Sequence, residues 1–136
     1  MEFCSITLTD YPKLQAFWLK NNMKIQGLYE FHELEAFIKI NVKTCFYLED
    51  NKEVIGIVLA GFDGRTCNVY HVFVDEEKRR LGFGTKMMHH LKESVQSMHG
   101  KQIQIVYYAS AQFFEKFLKE NGYQLRNDKH IFEMKF

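Results

Sequence analysis

The centre of the chain changes from a continuous hydrophobic run to a helical pattern. Residues 69–74 are mostly β-branched or aromatic, which is typical of a buried strand. A charged segment follows, from Asp75 to Lys78. Apolar residues then recur at steps of four and three, which predicts the buried face of a helix. These residues are Phe83, Met87, Leu91, Val95 and Met98. The pattern therefore predicts a strand, a charged turn and a helix in that order.

The residues before this centre predict a first strand, two helices and a hairpin of strands. The helices would bury Leu14, Phe17 and Trp18 in the first, and Phe31, Leu34 and Ile38 in the second. Thr9 or Asp10 would cap the first helix, and Pro12 is tolerated in its first turn. The expected limits are 2–8, 45–49 and 54–62 for the strands and 31–41 for the second helix, with turns at 50–52 and 63–64.

The residues after the central helix predict a strand, a short helix and a last hairpin. His99-Gly100 would end the central helix, with Gly100 as its C′ residue. The expected elements are a strand at 101–107, a helix at 111–120 with Phe114, Phe117 and Leu118 inward, and strands at 123–125 and 131–136 around Asn127-Asp128. The whole chain, 1–136, is thus predicted to be a single α+β domain. Its sheet would be mixed and mostly antiparallel, with about 6–7 strands and about four flanking helices.

Composition narrows the classes of function. The 136 residues are 46% hydrophobic and 26% charged, an ordinary globular balance, and the net charge of +1 gives no overall attraction to nucleic acid. We find no apolar run long enough to span a membrane and no signal-peptide pattern. The three cysteines, Cys4, Cys45 and Cys67, lack metal-ligand spacing and are expected to be buried thiols. We therefore expect a cytoplasmic protein with no metal, nucleic-acid or membrane partner.

The charged turn has the composition of a phosphate site. The first N–H groups of a helix lack intrahelical partners and carry partial positive charge. Gly82 and Gly84 would let these amides approach an anion, with Arg79 and Arg80 beside them. Neither common nucleotide motif fits, because no Walker loop is present and Met87 stands where a dinucleotide fingerprint needs a third small residue.

Arg79-x-x-Gly82-x-Gly84, directly after Val72-Phe73-Val74, resembles the pyrophosphate-binding motif of the GNAT superfamily of acetyl-CoA-dependent N-acetyltransferases. The 61–64 hairpin sequence and Asn121-Gly122-Tyr123 extend the resemblance over most of the chain. It implies acetyl-CoA as co-substrate, with its pantetheine arm along the strand 69–74 where that strand diverges from the next. The implied coenzyme-binding residues are Val72, Phe73, Val74, Arg79, Arg80, Leu81, Gly82, Phe83, Gly84 and Thr85.

The resemblance is weaker for the proton-transfer residues. The position of the family's tyrosine acid is Leu118, a position that is often Asn is Ala111, and the glutamate base of histone-acetylating relatives falls near Asn68. We select Tyr108 as the candidate acid. His71 is either a proton relay through water or a hydrogen-bonded core histidine. Three residues near the two early helices, Tyr29, Phe31 and His32, are either substrate contacts or packing residues.

Three functions follow from the resemblance. The first is transfer of an acetyl group from acetyl-CoA to a primary amine of a small molecule or amino acid, by direct attack of the amine. The second is acetylation of a protein lysine or N-terminal amine. The third is a non-catalytic acyl-CoA-binding module, which Leu118 and Asn68 keep open. Because the chain is short, we favour the first, in a monomer or homodimer.

Overall fold

The computed structural model describes residues 1–108 and 110–136. These residues form two compact units, Met1–Val106 and Tyr107–Phe136. The prediction of a single domain over 1–136 stays a prediction.

The first unit is built on a five-stranded sheet. Its strands are β1 (Glu2–Ser5), β2 (Cys45–Asp50), β3 (Glu53–Phe62), β4 (Thr66–Val74) and β5 (Gln102–Ile105). They lie side by side in chain order; the first four are antiparallel neighbours, and β5 runs parallel to β4. The predicted α+β class with a mixed, mostly antiparallel sheet is confirmed. The strand number is five rather than six or seven in the described residues.

Two helices cover one face of this sheet. They are α1 (Tyr11–Lys20) and α2 (Phe31–Ile40). Of the residues predicted to be buried, Phe31 is only half-buried. The others lie in a core that also contains Ile57 and Leu59 of β3: Leu14, Phe17, Trp18, Leu34 and Ile38. Because strand side chains alternate between faces, residues 57 and 59 define the face toward α1 and α2.

The central helix, α3 (Phe83–Ser97), lies on the opposite face. A Cβ atom on Gly56 of β3 would lie 2.6 Å from Met87 Sδ, so α3 packs directly against the even-numbered positions of β3. Val58 and Val72 are opposite each other in the β3–β4 ladder and share this face. The segment between β4 and α3 therefore runs from the end of the sheet to the face that α3 covers.

The second unit contains α4 (Gln112–Glu120). Leu118 is buried as predicted, and the Phe114 ring stacks near Phe117, with centroids 6.1 Å apart. Gly122 adopts a left-handed φ of 89°, and Tyr123 N–H donates to the Leu118 carbonyl. This is the helix-ending glycine conformation that the sequence predicted.

The predicted final hairpin is wrong. The structure assigns no strand to residues 123–136, and Arg126 instead forms a bidentate ion pair with Asp128, at 2.9 and 2.7 Å, in a local bend. The apolar residues of the expected second strand are exposed: Ile131, Phe132, Met134 and Phe136. A strand is stabilised by a paired neighbour and a buried face, and among the described residues, 131–136 are assigned to no strand pair and are all exposed.

Several element ends also differ from the prediction, including β4, which begins at Thr66 rather than at residue 69, and β5, which ends at Ile105 rather than at residue 107. β1 stops at Ser5 rather than Leu8, because Leu8–Asp10 forms a 3-10 turn in which the Asp10 carboxylate accepts the Thr7 N–H at 2.8 Å. At the end of α3, the left-handed residue is His99, with φ of 63°, and not Gly100. Gly100 is required for space instead, since a Cβ there would overlap the Val95 side chain.

Two of the three cysteines that were expected to be buried are buried in the structure. Cys45 and Cys67 are buried free thiols, and desolvation raises the pKa of Cys45 to about 12 and that of Cys67 to about 11. Cys4 is only half-buried. Among the described residues, every helix is too short or too polar to cross a membrane.

Candidate active site

The β4 strand separates from β5 halfway along its length. The two strands pair from Thr66 with Gln102 to Val69 with Ile105. Beyond this last pair, no strand of the described residues lies along the same edge of β4. On that edge, backbone groups of residues 70–74 therefore have no strand partner, although the Val74 carbonyl accepts from the Arg79 side chain.

A β-bulge in β4 lies at the same point. Ala60 pairs with Val69 and Leu59 pairs with His71, so Tyr70 is the extra residue. The Tyr70 ring contacts Phe37 of α2, with centroids 5.5 Å apart, so Tyr70 and His71 both lie on the α1–α2 face. The bulge bends β4 and brings two ring-bearing side chains to one face where the strands separate.

The turn after β4 is anchored to the end of α1. The Asp75 carboxylate is buried, accepts from Lys20 Nζ at 2.8 Å and accepts the Glu77 N–H at 3.0 Å. Burial alone would raise the pKa of Asp75, but the Lys20 and Glu77 hydrogen bonds lower it overall. Asn21 Oδ1 accepts the Glu76 N–H at 3.1 Å. These contacts fix the start of the segment that leads to α3.

The two arginines of the turn have different surroundings. Arg79 Nε donates to the Val74 carbonyl at 3.1 Å, and its guanidinium lies 4.7 Å from the centre of the Phe73 ring. Arg80 is exposed, with a left-handed φ of 66°, and its guanidinium makes no hydrogen bond or ion pair within residues 1–108 and 110–136. A positive φ at a non-glycine residue is strained, by about 1 kcal/mol or more. Arg79 thus supports the strand end, whereas Arg80 is the free cation.

The start of α3 has room for an anion. Gly82 is the N-cap residue, its φ is 84°, and apart from its two chain neighbours no residue has an atom within 4 Å of the site where its Cβ would stand. The helix starts at Phe83 and its first hydrogen bond runs from Lys86 N–H to the Gly82 carbonyl. The N–H groups of 83–85 therefore have no intrahelical acceptor. Leu81 and Thr85 are exposed, and Phe83 and Gly84 are half-buried.

His71 is held by hydrogen bonds at both ring nitrogens. Trp18 Nε1 donates to Nε2 at 3.1 Å, and Nδ1 lies 3.1 Å from the Tyr29 hydroxyl. Its side chain is buried, and desolvation lowers the pKa of His71 to about 3. Protonating Nε2 would set its N–H against the indole N–H. The geometry therefore favours the core-histidine interpretation of His71 over a proton relay.

The three candidate acceptor contacts, Tyr29, Phe31 and His32, differ in burial and in their contact with His71. Tyr29 is half-buried, with its ring 4.9 Å from those of Trp18 and His71. Phe31 is half-buried against Tyr11, at 5.2 Å between ring centroids, and His32 is exposed. Among Tyr29, Phe31 and His32, only Tyr29 is brought to β4 by a contact that the structure records.

The remaining sequence candidates belong to the second unit or carry no titratable group. Tyr108 belongs to the second unit and is 87% exposed. Leu118 is buried in α4, Ala111 precedes α4, and Asn68 is half-buried in β4. The assignment of Tyr108 as the acid stays a prediction.

Sequence reasoning missed the partners of His71. Trp18 was identified as a core residue and Tyr29 as one of three open candidates, but their bonds to His71 span 53 and 42 residues. A buried indole N–H requires an acceptor, which is the one sequence signal that pointed to a polar partner for Trp18. Asp75 was also missed, although a carboxylate directly after a buried strand is a common turn residue.

The family of the protein is defined by its sequence as well as its fold. Residues 41–124 match the family model described as "Acetyltransferase (GNAT) domain", which covers more than half of the chain. The chain belongs to the GNAT acetyltransferase family, an enzyme class that uses acetyl-CoA as co-substrate, and this prediction is confirmed. A search of curated protein sequences gives no match.

Solved structures with the same fold share little sequence. Ard1 from Thermoplasma volcanium superposes with a TM-score of 0.79 at 12% identity, over 92% of this chain and 83% of that one. The NatB acetyltransferase complex bound to CoA and MES gives 0.79 at 12%, over 93% and 86%. AAC(6')-Iy, in complex with a bisubstrate analogue of CoA and acetylneamine, gives 0.76 at 12%, over 99% and 97%. At this identity the likeness establishes the fold and leaves the acceptor open.

Proposed function

We propose that this protein transfers the acetyl group of acetyl-CoA to a primary amine of a small molecule, by direct attack of the amine on the thioester. The observation that carries the proposal is the free edge of β4 beyond Val69. An extended pantetheine arm can pair there as an added strand, with main-chain hydrogen bonds from Val72 and Val74. The Arg79 side chain ties the turn that leads into α3 to the Val74 end of this edge, so we expect one ligand to reach both.

The phosphates of acetyl-CoA would bind at the turn between β4 and α3. The free Arg80 guanidinium, the open space at Gly82 and the unpaired amides of 83–85 together suit a pyrophosphate. Arg79 would hold the Val74 end of the strand in place. The proposed coenzyme contacts are Val72, Phe73, Val74, Arg79, Arg80, Leu81, Gly82, Phe83, Gly84 and Thr85.

The reaction requires a neutral amine and a leaving thiolate. The amine nitrogen forms a bond to the acetyl carbon, the carbon–sulfur bond breaks, and the sulfur leaves with the electron pair. The amine loses one proton to solvent, and CoA gains one as the thiol. His71 is too weak a base for this deprotonation because burial lowers its pKa to about 3. A thiol has a pKa of about 8.5, so protonation by Tyr108 or water gives only a modest gain at neutral pH.

The amine would approach from the α1–α2 face. The phosphate turn leads to α3 on the other face of the sheet, so the side of β4 that carries Tyr70 and His71 remains for the acceptor. AAC(6')-Iy binds an acetylneamine conjugate, which supports a small amine. Peptide N-terminal amines are the alternative acceptors. The cytoplasmic location and the monomer or homodimer state remain predictions.

Free CoA released from acetyl-CoA tests the proposal. The amine panel contains amino alcohols, alkylamines, amino acids, an aminoglycoside and peptides with a free N-terminus. We expect release with at least one small amine, faster at alkaline pH because more of the amine is neutral. Tyr108→Phe should lower this rate without changing the affinity for acetyl-CoA. Release with peptides alone would replace the small acceptor by a protein, and tight acetyl-CoA binding without any release would indicate the non-catalytic module.

A further inference from the structure

The hydrogen bonds around His71 determine where its proton lies. An indole N–H can only donate, so the bond of 3.1 Å from Trp18 Nε1 requires a lone pair on His71 Nε2. A neutral imidazole then carries its hydrogen on Nδ1. That hydrogen is donated to the Tyr29 hydroxyl oxygen, 3.1 Å away. The hydroxyl of Tyr29 therefore accepts from His71, and its own hydrogen is left to point elsewhere.

The protonation states of these groups are stable at physiological pH. Burial lowers the pKa of His71 to about 3, so the imidazole stays neutral. Burial also raises the pKa of Tyr29, so its hydroxyl keeps its hydrogen under mildly alkaline conditions. The hydrogen bonds therefore keep the same donors and acceptors, from Trp18 to His71 to Tyr29, over the pH range in which amines become nucleophilic.

Tyr29 is held in place by its backbone as well as by its ring. It ends a short 3-10 turn, Gly27–Tyr29, in which Gly27 has a left-handed φ of 57°. The Tyr11 hydroxyl donates to the Tyr29 carbonyl at 2.9 Å. The Trp18 ring packs 4.9 Å from the Tyr29 ring. These contacts hold the half-buried ring of Tyr29, and with it the hydroxyl oxygen, in one position.

The position of Tyr29 places it beside the proposed reaction. Its partner His71 comes two residues after Val69, the last residue of β4 that pairs with β5. Both side chains are on the α1–α2 face, opposite the α3 face to which the phosphate turn leads. An acceptor that approaches the free edge of β4 from this face would lie near the pair formed by His71 and Tyr29.

We propose that Tyr29 donates a hydrogen bond to the acceptor molecule, and that His71 and Trp18 are positioning residues that aim this donor. The inference rests on the proposed function and names its substrate class. A fixed donor favours acceptors with an oxygen atom close to the amine, such as amino alcohols and amino sugars. An alkylamine of the same size would leave the donor unpaired.

Matched acceptors test this specificity. The pairs are 2-aminoethanol with propylamine, and trans-2-aminocyclohexanol with cyclohexylamine. Wild type should have the higher kcat/KM for the oxygen-bearing member of a pair. Tyr29→Phe should lower kcat/KM for that member about three- to ten-fold, the usual effect of one lost hydrogen bond, and leave the alkylamine unchanged. Acetyl-CoA affinity should not change.

Tyr47→Phe is the matched control. Its hydroxyl bonds to Asp10 and Lys13, away from the β4 edge, and its loss should alter neither member of a pair. Equal losses for both members in Tyr29→Phe, or no preference for oxygen in wild type, would overturn the proposal.

The positioning role has a separate readout. Nitrogen-15 NMR of the six histidines, with the His71 signal assigned by its loss in His71→Gln, should show the Nδ1–H form in wild type. Trp18→Phe should give a mixture of both tautomers. His71→Gln can still accept from Trp18 and donate to Tyr29, and should keep much of the preference for oxygen, whereas His71→Leu should lose it.

The NMR result separates this inference from the proposed function. If wild type releases no CoA with any amine, the proposed function fails. The tautomer of His71 still decides whether the Tyr29 hydroxyl accepts from His71 and keeps its own hydrogen for another partner. The Nε2–H form in wild type would overturn the inference even if the enzyme is active. The Nδ1–H form, together with selective loss of the oxygen-bearing acceptor in Tyr29→Phe, would establish it.

Discussion

The buried imidazole of His71 should make the protein sensitive to mild acid. The side chain is 6% exposed, both ring nitrogens are hydrogen-bonded, and its pKa in the folded protein is lowered to about 3 by burial. In the unfolded chain the same group has a pKa of about 6.5. The perturbation we choose is His71→Gln, because the amide oxygen can accept from Trp18 and the amide N–H can donate to Tyr29.

The magnitude follows from proton linkage. Between about pH 6.5 and about pH 3, the unfolded chain binds a proton at His71 that the folded protein does not, so protonation favours unfolding. The contribution of the neutral imidazole is therefore complete above pH 6.5 and decreases as the pH falls. Each pH unit corresponds to about 1.4 kcal/mol, which gives about 2 kcal/mol at pH 5. This is a substantial part of a typical stability of about 5–15 kcal/mol.

Urea unfolding of wild type and His71→Gln at about pH 7.5 and about pH 5 measures this effect. Carboxylates such as Asp75 titrate in both proteins, so their contributions cancel in the difference. We expect the free energy of unfolding of wild type, relative to the variant, to fall by about 2 kcal/mol between the two pH values. A difference that is independent of pH would refute the reasoning, because it would mean that His71 takes up its proton equally in both states.

Three further predictions concern the turn and the sheet. Arg80→Ala should weaken acetyl-CoA binding, measured by calorimetry, by about ten-fold or more. Arg79→Ala should weaken it by less than about five-fold, because the Arg79 guanidinium is already held by the end of β4. Equal losses of affinity in the two variants would contradict this distinction. Gly82→Val should abolish binding while the circular dichroism spectrum stays intact, because φ is 84° and its side chain would fill the anion space; wild-type affinity would argue against this site. Gly56→Ala should lower the free energy of unfolding in urea by about 1–3 kcal/mol, because its Cβ would lie 2.8 Å from the Phe73 carbonyl oxygen and 2.6 Å from Met87 Sδ; an unchanged free energy of unfolding would contradict this close packing.

Local patterns predicted the central elements of the fold. The change from a β-branched run to a spacing of three and four predicted the end of β4 at Val74 and the helix α3 at Phe83–Ser97, whereas β4 begins at Thr66, three residues before the predicted start. Gly82 was also predicted to lie in the turn, where its positive φ is found. These features depend on residues close in sequence, so one chain is enough to identify them.

Features that depend on distant partners were not predictable. The bulge at Tyr70 is not visible in the run of β-branched and aromatic residues of β4, because its extra residue is itself an aromatic strand former. The contact of Trp18 with His71 joins α1 to β4 across 53 residues. Ile131–Phe136 has the composition of a strand but is exposed, since composition reports a preference and not the presence of a neighbour. The role of Gly100 at the end of α3 also depends on a packing contact. A Cβ there would overlap the Val95 side chain, whereas its φ does not require glycine.

Thermal unfolding with and without acetyl-CoA tests the central claim most directly, namely that the free edge of β4 and the turn at 79–85 bind the coenzyme. At about 100 times the dissociation constant, binding should stabilise the folded protein by about 2.7 kcal/mol. Adenine nucleotides that lack pantetheine should raise the melting temperature much less, because they cannot pair with the edge of β4. An unchanged melting temperature at millimolar acetyl-CoA would contradict the claim.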